Sequence, residues 1–237
     1  MVNDKSTKRL FGKILRGIRN TFLLLFVLSL LSVILGKYFP VYYTPYMFAK
    51  NVKQLVSGEK VHLSHRWKPL SEISPHLMQA VIASEDYTFL IHNGFDTDKS
   101  NMTIQRGARI LYVENTTISQ QTASNVFLFP GKSFLHQPFE LYFTILIEFV
   151  WGKERILEVY LNSVEMGNAV FGAEAMAQTT FEIPARELDT AQSALIAACL
   201  INPTELDPNE PTTYLLRRQA KIMGIMDELR IIQLPFQ

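Results

Sequence analysis

A single cysteine, Cys199, stands in 237 residues. One thiol closes no internal disulfide, and no cluster of Cys and His at metal-ligand spacing accompanies it. A disulfide scaffold and a metal finger are both excluded. The thiol lies in the apolar run Ala194-Leu195-Ile196-Ala197-Ala198-Cys199-Leu200, which makes it a small core residue. The chain also lacks internal repeats, low-complexity tracts, sustained alternation of apolar and polar residues, and any βαβ unit. What remains is a mainly α fold. Large net charge is missing too, since the total is +1. Six cations and one anion fall in the first 19 residues, which leaves −4 on the other 218. A mildly acidic body argues against a nucleic-acid partner.

Charge is wholly absent from Asn20 to Gly36, a run dominated by Leu, Val, Ile and Phe. Its length reaches the lower limit for a helix that crosses a bilayer. Lys5, Lys8, Arg9, Lys13, Arg16 and Arg19 precede it. Such a flank stays in the cytoplasm, so the remainder belongs on the outer face. Tyr38, Tyr42, Tyr43 and Tyr46 are placed to anchor the far interface. No small-x-small cleavage site follows, which favours a retained anchor over a signal peptide. The expected organisation is a basic tail over 1–19, an anchor over 20–37, a connector over 38–65 and an ectodomain over 66–237.

Helix signals punctuate the ectodomain. Ser74-Pro75 offers an N-cap and a first-turn proline, and the helix should end near Asp86. Residues 96–116 read as polar and irregular. A second helix is expected from Thr117 to Phe127, then a turn at Phe129-Pro130-Gly131. Pro138 should start a third helix, apolar nearly all round and therefore expected in the core. Further helices are expected from Lys153 to Leu161 and over 168–180, 187–200 and 211–230.

The stretch Ser84-Glu85-Asp86-Tyr87-Thr88-Phe89-Leu90-Ile91-His92-Asn93-Gly94 carries the chemistry. Glu85 falls in the last turn of its helix, where carbonyl partial charges and the apolar Val81 and Phe89 disfavour a carboxylate. Glu140, placed by Pro138 near a helix start, is in the opposite situation. Two acids whose environments separate their pKa values suit general acid–base work on a sugar. Plain capping and surface carboxylates are the competing reading.

Read together, the segments resemble the monofunctional biosynthetic peptidoglycan transglycosylases, the stand-alone form of the glycosyltransferase domain in bifunctional penicillin-binding proteins. The pattern E-D-x-x-F-x-x-H-x-G is met by Glu85, Asp86, Phe89, His92 and Gly94. The block S-T-I-T-Q-Q-x-x-K-N appears as Thr116-Thr117-Ile118-Ser119-Gln120-Gln121-Thr122-Ala123-Ser124-Asn125. R-K-x-x-E appears as His136-Gln137-Pro138-Phe139-Glu140. K-x-x-I-L-E-x-Y-L-N is met in full from Lys153 to Asn162, and R-x-x-x-[VI] by Arg218 and Ile222. The resemblance covers about residues 66 to 228.

That resemblance implies a lysozyme-like helical ectodomain behind one N-terminal transmembrane helix, in the bacterial inner membrane with the catalytic part on the outer face. It implies polymerisation of lipid II onto a growing glycan strand, with inversion at the anomeric carbon and release of undecaprenyl pyrophosphate. Glu85 is then the general base on the C4 hydroxyl. Glu140 assists the leaving pyrophosphate, directly or by orienting a cation. Asp86, Phe89, His92, Gly94, Thr117, Gln120, Gln121, Asn125, Lys132, Lys153, Asn162 and Arg218 are the implied substrate-binding set. No resident cofactor is implied; a magnesium or manganese ion stays open. Expected partners are lipid II, the glycan strand, membrane lipid, and wall-synthesis or division proteins. Phe127-Leu128-Phe129 and Phe134-Leu135 are either core packing or a patch that dips into the bilayer.

The departures from the family pattern cluster. Lys is replaced at Ser124, Arg-Lys at His136-Gln137, a nearby Arg at Lys132, and a Gly at Glu114. The first positions present cations to pyrophosphate in the family, and Lys132, Arg106, Arg109 and protonated His136 are the candidates to compensate. Two other functions therefore stay open: a membrane-anchored pseudoenzyme that binds glycan or a wall-synthesis partner, and a lysozyme-like glycan hydrolase. His92 and Asp86 also read as local structural partners, Lys153 and Arg218 as ion-pair members, and Trp67 and Trp151 as packing anchors. Asp96-Thr97-Asp98 reads as a turn or cap rather than a metal motif.

Overall fold

A computed structural model describes residues 4–96, 116–131 and 134–229. Lys132, Arg106, Arg109, Glu114, Asp98 and most of the irregular 96–116 segment lie outside the described residues. The chain divides into two compact units, Met1–Phe39 and Pro40–Gln237.

The first unit is one helix, α1 (Asp4–Tyr38). The basic segment and the apolar run are continuous in it. Within it, the 28 residues Phe11–Tyr38 are long and apolar enough to cross a membrane.

The second unit is mainly helical, as expected. After α2 (Pro45–Val56) and β1 (Ser64–His65) come α3 (Pro75–Glu85), α4 (Ile118–Phe127), α5 (His136–Val150) and α6 (Lys153–Ser163). A hairpin, β2 (Glu165–Gly167) and β3 (Val170–Phe171), leads to α7 (Ala173–Phe181), α8 (Thr190–Cys199) and α9 (Thr213–Leu229). Helices α3, α8 and α9 pack on one another, while α4 packs on α5 and α6. The two acids described below come one from each group, Glu85 from α3 and Glu140 from α5.

Local chemistry explains the helix starts. Ser74 caps α3, accepting from His76 N at 3.3 Å and donating to the Leu188 carbonyl at 2.6 Å. Thr117 and Gln120 form a capping box on α4, and Asp189 and Gln192 form one on α8. Leu77, Phe89, Ile118, Tyr160 and Phe171 are wholly buried. Each such side chain stabilises by about 1.5–3 kcal/mol.

Four expectations need correction. Residues 38–65 are not a connector beyond the helix end, because they carry α2 and β1. Burial makes the difference: Met47 is fully enclosed, and Glu165 holds α2 by an ion pair to Lys50 (2.7 Å) and a hydrogen bond from Tyr46 (3.2 Å). A small sheet of order β1-β3-β2 is also present, its strands of two or three residues too short to show as sequence alternation. Helix α5 starts at His136 rather than Pro138. A proline third in a helix costs nothing there, since the first amide groups have no intrahelical acceptor. Glu140 is thus the fifth helical residue, past the turn where the dipole acts most strongly. Nor is α5 a core helix: Phe143, Thr144 and Ile147 are buried, but Phe139, Leu141, Ile145 and Phe149 are exposed.

Candidate active site

Glu85 closes α3 and is half-buried. Its Oε2 accepts from Gln121 Nε2 at 3.2 Å, and Ser84 Oγ lies 3.1 Å from Oε1. Tyr160 decides how Gln121 points. The Tyr160 hydroxyl is buried, and burial, then the charges of Glu85 and Asp86, push it well above the ordinary phenol range. It stays protonated and donates to Gln121 Oε1 at 3.1 Å. With its oxygen engaged, the amide turns its nitrogen to Glu85 and to the Thr116 carbonyl. Glu85 is thereby held as an acceptor at a helix end.

Glu140 comes from the other helix group. Gln120, next to Gln121 on α4, donates to Glu140 Oε1 at 3.3 Å while its own oxygen accepts from Thr117 N at 3.1 Å. Neighbouring residues of one helix therefore hold the two acids. Helices α4 and α5 run antiparallel here, with rungs Ser124–His136 (3.3 Å), Gln120–Glu140 and Ser119–Glu148. His136 Nδ1 is also 3.8 Å from Glu140 Oε2.

The loop after α3 is pinned from beneath. Asp86 is fully buried; it accepts from Ile118 N at 3.0 Å and pairs with His92 Nε2 at 2.8 Å. His92 Nδ1 accepts from Gly94 N at 3.0 Å, which sets the proton on Nε2. Thr117 Oγ1 donates to the Gly94 carbonyl at 2.6 Å. Gly94 has φ +90, and an added Cβ would meet Thr144 Cγ2 at 3.0 Å. These residues were expected to touch substrate. Among them Asp86, Phe89, Gly94, Thr117 and Asn162 are buried. His92 is tied to the same network, its side chain 8% exposed. Asn162 holds the backbone of Lys68 at both N and O (2.8 Å each).

Lys153 lies 2.6 Å from Glu148 and 4.6 Å from the centre of the Phe89 ring. Arg218 donates to the Ala198 carbonyl and to Ser84 Oγ, 3.1 Å each, so it braces the end of α3 beside Glu85. Asn125 is half-buried on α4. Lys132 lies outside the described residues. Phe127 is packing, stacked on Phe143 at 4.6 Å, whereas Phe129, Phe134 and Leu135 are exposed.

Residues 50–227 match the family model described as Transglycosylase. The chain belongs to this transglycosylase family. A biosynthetic peptidoglycan transglycosylase of Bacteroides thetaiotaomicron is 47% identical over 223 residues, covering 91% of this chain and 87% of that protein. Similarly named proteins of Pasteurella multocida and Bdellovibrio bacteriovorus are 42% and 44% identical, covering 92% and 85% of this chain and 91% and 81% of their own.

In this transglycosylase, sequence reading missed Tyr160, Ser119 and Glu148. One signal was available for Glu148: His136, Glu140, Thr144 and Glu148 recur every four residues on an otherwise apolar helix. Such a stripe marks one polar face. Tyr160 gave no such signal, being a consensus position inside a helical block.

Proposed function

We propose that this transglycosylase is a peptidoglycan glycosyltransferase that polymerises lipid II. The observation that carries the reading is the paired hold on two acids: adjacent Gln120 and Gln121 engage Glu140 and Glu85 from one helix end. In the proposed step, the C4 hydroxyl of lipid II attacks the anomeric carbon of the growing strand. Its proton passes to Glu85 as the C4–O–C1 bond forms. The C1–O bond to phosphate breaks with inversion, and its electron pair leaves on undecaprenyl pyrophosphate. Glu140 stands at the leaving-group side. Electrostatic stabilisation of that departing charge is the larger part of such a barrier.

The exposed apolar surface supports a membrane-borne substrate. Phe134 and Phe149 are about nine-tenths exposed, and Leu141 and Ile145 continue that face of α5. The six cations before the uncharged run Asn20–Gly36 support a single pass through the bacterial inner membrane with the second unit outside. Wall-synthesis or division proteins are proposed partners on the same ground. A magnesium or manganese ion is proposed only as a companion of the pyrophosphate. Among the described residues no three His, Cys, Asp or Glu side chains converge on one point.

The test is product analysis with purified full-length protein and labelled lipid II. Glycan strands with free undecaprenyl pyrophosphate support the reading. Shortening of preformed glycan would replace it with the hydrolase, and binding without any product with the pseudoenzyme.

A further inference from the structure

Ser84 stands one residue before Glu85, and the family pattern, which starts at Glu85, says nothing of it. Its hydroxyl meets three groups from three helices. Arg218 Nη2 of α9 is 3.1 Å from Oγ, Glu85 Oε1 of α3 is 3.1 Å away, and the Ala197 carbonyl of α8 is 3.2 Å away. A guanidinium N–H can only donate, so Oγ accepts from Arg218. Arg218 is itself fixed by Nε–H, which donates to the Ala198 carbonyl at 3.1 Å. The oxygen of Ser84 is therefore pinned, and its one proton has two acceptors within reach. While Glu85 is ionised, its carboxylate is the stronger of the two, because charge assists the bond. The Ala197 carbonyl already accepts from Leu200 N at 3.3 Å and has a second lone pair for another donor. The other oxygen of Glu85 is held differently. Oε2 accepts from the Gln121 amide, and that amide is locked because Tyr160 engages its oxygen.

We propose that Ser84 is a positioning residue for the base, and that the proton taken from the C4 hydroxyl arrives on Glu85 Oε1. This rests on the transfer reading above. A carboxylic acid keeps one oxygen as a good acceptor, while the other carries the hydrogen. Gln121 cannot withdraw its N–H from Oε2, so Oε2 remains the acceptor. Ser84 can withdraw its O–H from Oε1 by turning it to the Ala197 carbonyl, with its oxygen still held by Arg218. In the step, the C4 hydroxyl gives its proton to Oε1 as the C4–O–C1 bond forms, and the electron pair of the C1–O bond leaves on pyrophosphate. The Ser84 proton stays on Ser84 and only changes direction. Glu85 then passes its proton to solvent, and the hydroxyl turns back. Two effects of Ser84 oppose each other. A donor to an ionised base weakens that base, but Ser84 exchanges one acceptor for another, so little of its bonding is lost when Glu85 is protonated. A pinned Oε1 also aims the receiving lone pair, and a misplacement of about 1 Å costs up to about a hundredfold in rate. Aim is the larger effect, so turnover falls when the hydroxyl is removed.

The experiment is steady-state polymerisation of lipid II by full-length wild type, Ser84→Ala, Ser84→Thr, Glu85→Gln and the double variant Ser84→Ala with Glu85→Gln. Ser84→Ala lowers kcat about tenfold at unchanged KM, and Ser84→Thr, which keeps a hydroxyl, stays within about twofold of wild type. Ser84 acts through Glu85, so the slowing caused by Ser84→Ala shrinks to less than about twofold in the Glu85→Gln background. Equal slowing in both backgrounds, or a kcat of Ser84→Ala equal to that of wild type, would overturn the assignment. A second comparison needs no turnover. The urea midpoint falls on Ser84→Ala in the wild type and falls by less in Glu85→Ala, where Oε1 is gone. Equal falls would show that Ser84 does not hold Glu85, and would overturn the proposal as well. Absence of polymer from wild type, with that midpoint difference intact, would instead overturn the transfer step and with it the proton's place on Oε1.

Discussion

The chemistry of the cleft turns on one orientation, that of the Gln121 amide. A glutamine beside a carboxylate can present oxygen or nitrogen, and only nitrogen is attractive. Tyr160 makes the choice, because its buried hydroxyl keeps its proton and has to donate. Tyr160→Phe removes that constraint. The expected result is kcat about tenfold lower with KM unchanged, and a stability loss of about 1 kcal/mol, read from steady-state rates and urea denaturation. An unchanged kcat would separate Tyr160 from catalysis. At this scale the sequence was partly legible. Glu85 and Glu140 were picked out by residue type and position, and Gln120 and Gln121 by the family resemblance. Tyr160 was not, since its value arises from a contact 39 residues away in the chain. The roles expected for Asp86 and Thr117 also changed, because a motif states which residues recur and not which of them face inward.

Between elements, the tie from α3 to α4 is a buried carboxylate. Asp86 caps the first amide of α4 and holds His92, which in turn fixes the Gly94 turn. Removing it leaves two donors buried without their acceptor. Asp86→Ala should therefore lower stability by about 3 kcal/mol in urea denaturation, whereas a loss under about 1 kcal/mol would show that the loop is held by other means. A second constraint is purely steric. Gly172 has φ +82, and an added Cβ would sit 2.7 Å from the Asn162 carbonyl oxygen. Gly172→Ala should destabilise by about 2–4 kcal/mol, through overpacking and backbone strain together. A third contact gives a pH dependence. Burial lowers the His65 pKa from its ordinary 6.5, against a smaller opposing effect of its hydrogen bond to the Asn162 carbonyl. The unfolded chain binds a proton there before the fold does, so stability falls as pH drops from 6.5 toward the lowered value. Urea midpoints at about pH 7.5 and about pH 5.5 should differ less in His65→Gln than in the wild type. Helix starts at Ser74 and Thr117 were readable because caps are local, whereas the helix expected over 187–200 begins at Thr190 behind an Asp189 cap. The start of α5 was misread because proline is tolerated at several first-turn positions.

For the whole molecule, the apolar surface is divided between a helix fit to cross a bilayer and an exposed face on the second unit. The first was legible as an uncharged run. The second was misassigned to the core, because periodicity shows that a helix is apolar all round and not what surrounds it. Phe149→Glu and Phe134→Glu should leave folding and turnover in detergent near wild type, since both side chains are about nine-tenths exposed. In proteoliposomes the same pair should lose about tenfold in rate, through the cost of placing charge at the lipid surface. Equal losses in both media would mean that this face does not serve the membrane. The segment read as a connector became part of the fold through Met47 and Glu165, whose partners lie more than a hundred residues away along the chain for the latter.

The most direct measurement is the rate of glycan polymerisation from lipid II by wild type and Glu85→Gln, with thermal unfolding run on both. The account predicts strands from the wild type and a rate about 10²–10⁴-fold lower from the variant at unchanged stability. Equal rates from two equally folded proteins would remove Glu85 from the proton transfer and contradict it.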